Sequence, residues 1–236
     1  MENAGYTTLA RLSGLMREMT VIANNIANAN TTGFRQEDLI FSEYIAPVDD
    51  GPSLSMAEAN LQWINYAQGT LEQTGGPLDF AIEGDGYFVI QTPNGDRLTR
   101  AGSFASSNAG DLVTNDGYPV LDSGGAPVFV PPDVDVSVGA DGTLSANGQA
   151  IGQIGIVRPL DPLALVREGG VMFRADAGTE PVEDPRVLQG FLEASNVDPI
   201  GQVARMVEVQ RAYELGQSFL DKEDERIRTS LQTLLK

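Results

Sequence analysis

The sequence predicts an α+β protein: long N- and C-terminal helices pair as a coiled coil and flank an inserted β-rich domain, a bent antiparallel barrel or sandwich. Three observations carry that expectation. Apolar residues recur at alternating steps of three and four at both ends. All 13 prolines fall between residues 46 and 200, together with most of the 26 glycines. Charge divides at the same places: residues 1–45 hold 5 acids and 3 bases, residues 201–236 hold 6 and 6, and the remaining 22 acids and 6 bases lie between them. Two nearly neutral helical ends thus flank an acidic, turn-rich centre.

The first element is a helix expected from about Tyr6 to Thr32, roughly 40 Å long at 1.5 Å per residue. Leu9, Leu12, Met16, Met19, Ala23, Ile26 and Asn30 form its seam, which Leu15 and Ile22 widen. Gly33 is placed to close the helix in a left-handed conformation, with Phe34 packing back on the last turn. Residues 35–75 and 190–199 read as a connector, Trp63 included. Residues 76–189 form the β domain: Phe80, Ile82, Tyr87 and Val89 alternate, as do the valines at 128, 130, 134, 136 and 138. Turn signals stand at Pro93-Asn94-Gly95-Asp96, Asn115-Asp116-Gly117, Asp141-Gly142 and Asn147-Gly148. The C-terminal helix carries Met206, Gln210, Tyr213, Gln217, Leu220, Asp224, Ile227, Leu231 and Leu234 in steps of four and three. Its polar seam positions, Gln210, Gln217 and Asp224, would fix register at some cost in stability. The resulting division is a helical domain of residues 1–34 and 200–236, the connector, and the β domain.

Composition removes several functions. With a net charge of −18, no basic patch is large enough to neutralise many phosphates, so no nucleic-acid partner is expected. There is no cysteine and no histidine, which excludes Ser-His-Asp and Cys-His nucleophiles and the usual zinc sites. No run of eighteen apolar residues occurs, so no membrane insertion is expected. Arg11, Arg17 and Glu18 interrupt any signal-peptide apolar region. The carboxylates Asp79, Glu83 and Asp85, or Asp133 and Asp135, could in principle serve a glycosidase or hold calcium. Asp beside Gly is what β-turns use, however, so no catalytic residue, metal site or cofactor is expected. The alternatives from other classes are a secreted acidic β-domain glycosidase and a binding module with a coiled-coil handle.

Several stretches resemble a known family. ANNIANANTTGFR (Ala23–Arg35), QGTL (Gln68–Leu71), TGGPLDFAIEGDGYF (Thr74–Phe88), TRAGSF (Thr99–Phe104), GDLVTNDGYPV (Gly110–Val120) and LEASNV (Leu192–Val197) are together similar to flagellar basal-body rod and hook proteins, in order along nearly the whole chain. SGGAPVFVPP (Ser123–Pro132), VGADGT (Val138–Thr143) and the short stretch between Phe41 and Leu61 resemble the proximal-rod branch more than the distal-rod one. Arg35 stands where the family often has lysine, keeping the charge. The resemblance implies a structural, non-enzymatic subunit that self-assembles through its terminal helices into the torque-transmitting rod. It implies as partners further copies of the chain and neighbouring rod proteins, FlgG and other proximal-rod subunits, with the type III export apparatus in transit. It also implies residence in the periplasm-spanning basal body without a cleaved signal peptide. The assembly interface expected on this basis is Leu9, Leu12, Met16, Met19, Asn24, Asn25, Asn28, Gly33, Phe34, Met206, Gln210, Tyr213, Leu220, Ile227, Leu231 and Leu234. Asn24, Asn25, Asn28 and Asn30 would weaken an isolated helix that is already marginal in water by roughly a few tenths of a kcal/mol each relative to alanine, and would find partners on assembly.

Overall fold

The computed structural model describes residues 2–46, 54–131 and 134–234, with the side chains of residues 2–4, 41–62 and 234 outside that description. Of the sequence expectations, those on Pro132, Asp133, the Leu234 side chain and, in the stretch between Phe41 and Leu61, residues 47–53 and the side chains therefore lie outside the described residues. The chain divides into two compact units: residues 1–29, 36–66 and 197–236, and residues 30–35 and 67–196.

The helical unit holds α1 (Glu2–Ala27), the hairpin of β1 (Glu37–Ala46) and β2 (Leu54–Ile64), and α2 (Pro199–Leu234). The two helices meet along Leu12, Leu15, Ile22 and Val209, all buried, with Met19, Ile26, Met206, Ala212, Tyr213 and Leu220 packed against them. This seam differs from the one read by spacing. Leu9 and Met16 are each 58% exposed, and Gln210, Gln217 and Asp224 all face outward. The inward-packed stripe on α1 is Leu12, Leu15, Met19, Ile22 and Ile26; on α2 Met206, Val209, Tyr213, Gly216 and Leu220, most of them half-buried, keep the same three-and-four spacing. The physical reason is twofold. This choice buries Val209 in place of a glutamine amide that would need a partner, and it sets glycine at the closest approach. A Cβ on Gly216 would stand 2.7 Å from a methyl of Leu12.

The N-terminal helix also stops earlier than expected, at Ala27 rather than Thr32. Asn28 Nδ2 donates to Asn24 O at 2.9 Å and to Asn24 Oδ1 at 2.8 Å. Its backbone N–H is shared between Asn24 O and Asn25 O. The last turn tightens to three-residue bonds, Asn28 N–H to Asn25 O and Ala29 N–H to Ile26 O, while the Asn28 side chain competes for Asn24 O. Gly33 does adopt a left-handed conformation, φ +69°, but six residues past the helix end, where it serves the other unit. At its start α2 is capped by Asp198, whose Oδ1 accepts from Ile200 N–H at 3.1 Å, with Pro199 in the first helical position.

The β unit is built from short strands: β3 (Leu71–Gln73), β4 (Phe80–Glu83), β5 (Tyr87–Thr92), β6 (Gly95–Thr99), β7 (Phe104–Ser106), β8 (Leu112–Thr114), β9 (Val136–Val138) and β10 (Thr143–Ala146). They continue with β11 (Gln149–Gln153), β12 (Ile156–Pro159), β13 (Leu165–Arg167), β14 (Met172–Ala175), β15 (Thr179–Pro181), β16 (Arg186–Gln189) and β17 (Phe191–Glu193). The largest sheet is antiparallel, ordered β13-β14-β6-β5-β12-β15, and curls into a half-barrel. Around it lie the three-stranded β11-β10-β9 sheet and the pairs β16-β4, β17-β3 and β7-β8. The predicted turn at Asn147-Gly148 joins β10 to β11, both residues having positive φ (52° and 78°) as a two-residue hairpin of the primed type requires. A large core lies within the unit: Phe80, Phe88, Leu112, Val120 and Leu144 are fully buried, and Phe88 meets Phe104 edge-on at 5.2 Å.

Candidate assembly interface

Each unit contains a group of residues that the sequence singled out. On the helical unit the expected interface splits into an inward and an outward set. Leu12, Met19, Met206, Tyr213 and Leu220 join the two helices of one chain. Leu9, Met16, Ile227 and Leu231 are exposed, as are Tyr6, Leu215 and Phe219. Two open apolar grooves follow the helix pair. One is lined by Tyr6, Leu9, Leu12, Met16 and Tyr213, the other by Arg11, Leu12, Leu15, Leu215 and Phe219.

The asparagines have separate positions. Asn25 is 1% exposed and already satisfied within the chain: its amide donates to Glu37 O at 2.7 Å and to Gln202 Oε1 at 3.3 Å. Its Oδ1 accepts from Glu37 N–H at 3.0 Å. One side chain thus ties α1 to β1 and to α2. Asn24 is exposed and Asn28 half-buried, bonded to each other as above. Arg205 adds a cross-helix link, donating to Glu18 Oε1 at 2.7 Å.

Gly33 and Phe34 belong to the β unit. Gly33 N–H donates to Glu193 O at 2.7 Å, and Asn196 N–H donates to Phe34 O at 3.3 Å. Phe34 is 1% exposed, its ring stacked under the Arg167 guanidinium at 4.5 Å, which in turn lies over Phe173 at 4.9 Å. Beside it sits a buried charge cluster that sequence reading missed. Glu193 accepts from Arg35 Nη2 at 2.7 Å and from Arg100 Nη1 at 3.2 Å, and the three side chains are between 1% and 4% exposed. Glu193 Oε1 also accepts from Gly69 N–H at 3.1 Å. Arg35 donates to Ala67 O, and Arg100 donates to Gly84 O at 2.6 Å. Gln68 holds both ends of the neighbouring turn, donating to Ile82 O at 2.5 Å and accepting from Gly84 N–H at 3.1 Å. Arg100 also stacks on Tyr87, 5.2 Å from the ring centre. Burial raises the Tyr87 hydroxyl above its ordinary pKa, against the pull of Arg35 and Arg100. Burial likewise lowers the Arg100 pKa, with Glu193 opposing it. The motifs ANTTGFR, QGTL, GDGYF, TRAGSF and LEASNV each supply at least one member, which only the fold brings together.

Two of the acidic residues weighed for chemistry, Asp79 and Glu83, hold structure. Thr74 Oγ1 donates to Asp79 Oδ2 at 2.6 Å in a turn, and Arg186 pairs with Glu83 at 3.2 Å across β16 and β4. Among the described residues no group of three or more acids, histidines or cysteines is placed to hold a metal ion. No helix among them is long and apolar enough to cross a membrane.

Comparison with known proteins agrees with the placement of these motifs. A family described as flagella basal body rod protein matches residues 6–35. The flagellar hook protein FlgE/F/G D1 domain matches residues 81–146, and the flagellar basal body rod FlgEFG protein C-terminal family matches residues 188–233. The chain is 40% identical over 243 residues to the flagellar basal-body rod protein FlgF of Caulobacter vibrioides, covering 100% of this chain and 99% of that protein. It is 38% identical to the FlgF of Mesorhizobium japonicum, covering 97% and 98%. Against the flagellar basal-body rod protein FlgG of Bacillus subtilis the identity is 33%, covering 93% and 94%.

Proposed function

The chain belongs to the family of flagellar basal-body rod proteins, and on that basis we propose that it is a structural subunit of the rod, of the FlgF type, working in the flagellar basal body. It has no chemical step to perform. Its work is association: copies of the chain and adjacent rod proteins, FlgG among them, pack through the terminal helices into a shaft that carries torque. In this reading the helices form a coiled-coil core domain and residues 76–189 an outer domain. The chain is exported through the flagellar type III apparatus without a cleaved signal, and the rod spans the periplasm.

The observation that carries the reading is the outward apolar stripe. Leu9 and Met16 remain 58% exposed on a helix whose other face is already filled, and Ile227 and Leu231 are about half exposed near the end of α2. Exposed apolar residues that recur along both helices are the surface an interaction site uses. Each such side chain, already partly covered, gains about half of the roughly 1.5–3 kcal/mol of full burial once a neighbour covers the rest. The alternative, a binding module with a coiled-coil handle, predicts a stable small oligomer of the free chain in dilute solution. The rod reading predicts a subunit that adds to a growing end.

The test is Met16→Asp, alone and with Leu9→Asp, expressed in a strain lacking the native gene. The purified variant should keep the wild-type circular dichroism, because both positions face solvent. Basal bodies isolated from that strain should lack a completed rod when viewed by electron microscopy, and cells should not swim. Normal rods and normal swimming would overturn the assignment of this stripe to assembly.

A further inference from the structure

The chain passes between its two units at four places, 29/30, 35/36, 66/67 and 196/197. Three of these crossings end on the Glu193 cluster. Arg35, the last residue before one crossing, is an arm of the cluster. Ala67, the first residue after another, accepts from the Arg35 guanidinium and from Asn196 Nδ2, the latter at 2.8 Å. Asn196, the last residue before the third, also donates its N–H to Phe34 O. Near the fourth crossing, residues 31–34 are held through Gly33 N–H on Glu193 O. Two guanidinium groups against one carboxylate leave a net positive charge in a buried place, which backbone oxygens of Ala67, Ile82 and Gly84 solvate. Such an arrangement is costly unless its geometry is met, so it tolerates few alternatives. Every partner in it belongs to the β unit.

We infer that the Arg35–Glu193–Arg100 cluster is a clasp that pins the chain crossings of the β unit, so that residues 30–35 and 191–196 stay folded with that unit when the helical unit opens. Fraying of the termini then stops at Asn30 on one side and at Asn196 on the other. Glu193 is the positioning residue: its backbone oxygen holds Gly33, one carboxylate oxygen holds Arg35 and Gly69, and the other holds Arg100. The inference concerns the single chain and stands whether or not the helices assemble into a rod.

The experiment is native-state hydrogen exchange on the full-length chain in mild denaturant, read at single amides. In the wild type, the amides of Gly33, Gly69 and Asn196 should open with that of Val120, which donates to Leu112 O in the β core, and later than those of α1 and α2. In Glu193→Gln those three should exchange about tenfold faster or more while Val120 keeps its protection. Arg35→Lys keeps a charge but loses the forked reach to both Glu193 and Ala67; it should accelerate Gly33 and Asn196 in the same way and serves where Glu193→Gln does not fold. Exchange of Gly33 and Asn196 together with the helices in the wild type would overturn the inference. So would unchanged rates at these amides in the variants, or an acceleration spread evenly over the whole β unit.

Discussion

Replacing Gly33 by alanine tests how closely the segment after α1 is fitted to the β unit. At φ +69° an alanine pays the left-handed penalty of about 1–2 kcal/mol. The larger part comes from contact. A Cβ there would stand 2.8 Å from Ala101 Cα, with the Ala101 nitrogen and the Arg100 carbonyl carbon nearer still. These are backbone atoms next to the buried Arg100, so the segment itself must move. Moving it breaks the Gly33–Glu193 hydrogen bond of 2.7 Å, about 1 kcal/mol, and partly uncovers Phe34, whose full burial contributes roughly 1.5–3 kcal/mol. The expected loss is therefore about 3–5 kcal/mol, the sum of these effects discounted for partial exposure. Gly117→Ala supplies the control: its φ is +84°, but a Cβ there meets nothing within 4 Å, so only the conformational penalty of about 1–2 kcal/mol applies. Urea unfolding followed by circular dichroism, with exchange protection of β-unit amides as a second readout, measures both. Equal losses for the two variants would refute the close-approach argument.

Asn25→Ala removes three hydrogen bonds from a side chain that is 1% exposed and should destabilise the helical unit by about 2–3 kcal/mol; fluorescence of Trp63, the sole tryptophan, follows that unit's unfolding. Tyr87 carries a raised pKa through burial, so its contribution to stability is complete below the unfolded-state value near 10.0 and is lost as pH rises through the folded-state value. Wild type should therefore lose stability in alkaline solution where Tyr87→Phe does not, as measured by urea midpoints across that range. Glu168 has a lowered pKa, first through the hydrogen bond from Arg97 and then through the charges of Arg97 and Arg174. Its contribution is present above the unfolded-state value of about 4.5 and is lost as pH falls. The stability difference between wild type and Glu168→Gln should shrink toward zero in acid; a difference that persists there would refute the pairing.

Features set by neighbours along the chain are legible in the sequence. Two helical ends, a turn-rich acidic centre and the Asn147-Gly148 hairpin follow from periodicity and turn chemistry that act over a few residues. The helix end and the seam were less legible. Leu9–Leu12–Met16 and Leu12–Leu15–Met19 are both good apolar stripes in the sequence, and spacing alone cannot choose between them. The choice falls to the partner helix, where Gly216 admits Leu12 and Val209 replaces Gln210 in the interior.

The charge cluster lay beyond local reading altogether. Arg100 and Glu193 are 93 residues apart, and nothing in either neighbourhood marks them as a pair. The family resemblance pointed to the motifs that hold them, without saying what the motifs build. By itself, then, the sequence determined the two terminal helices, the β-rich centre between them and the family, but not the β1–β2 hairpin within the stretch read as a connector. Tertiary structure alone decided which helix face is filled, where α1 stops, and why Gly33, Arg35, Arg100 and Glu193 belong to one site. The physical reason is range: propensity and turn preference are set by neighbours along the chain, whereas a buried charge is stable only where distant segments bring its partners to it.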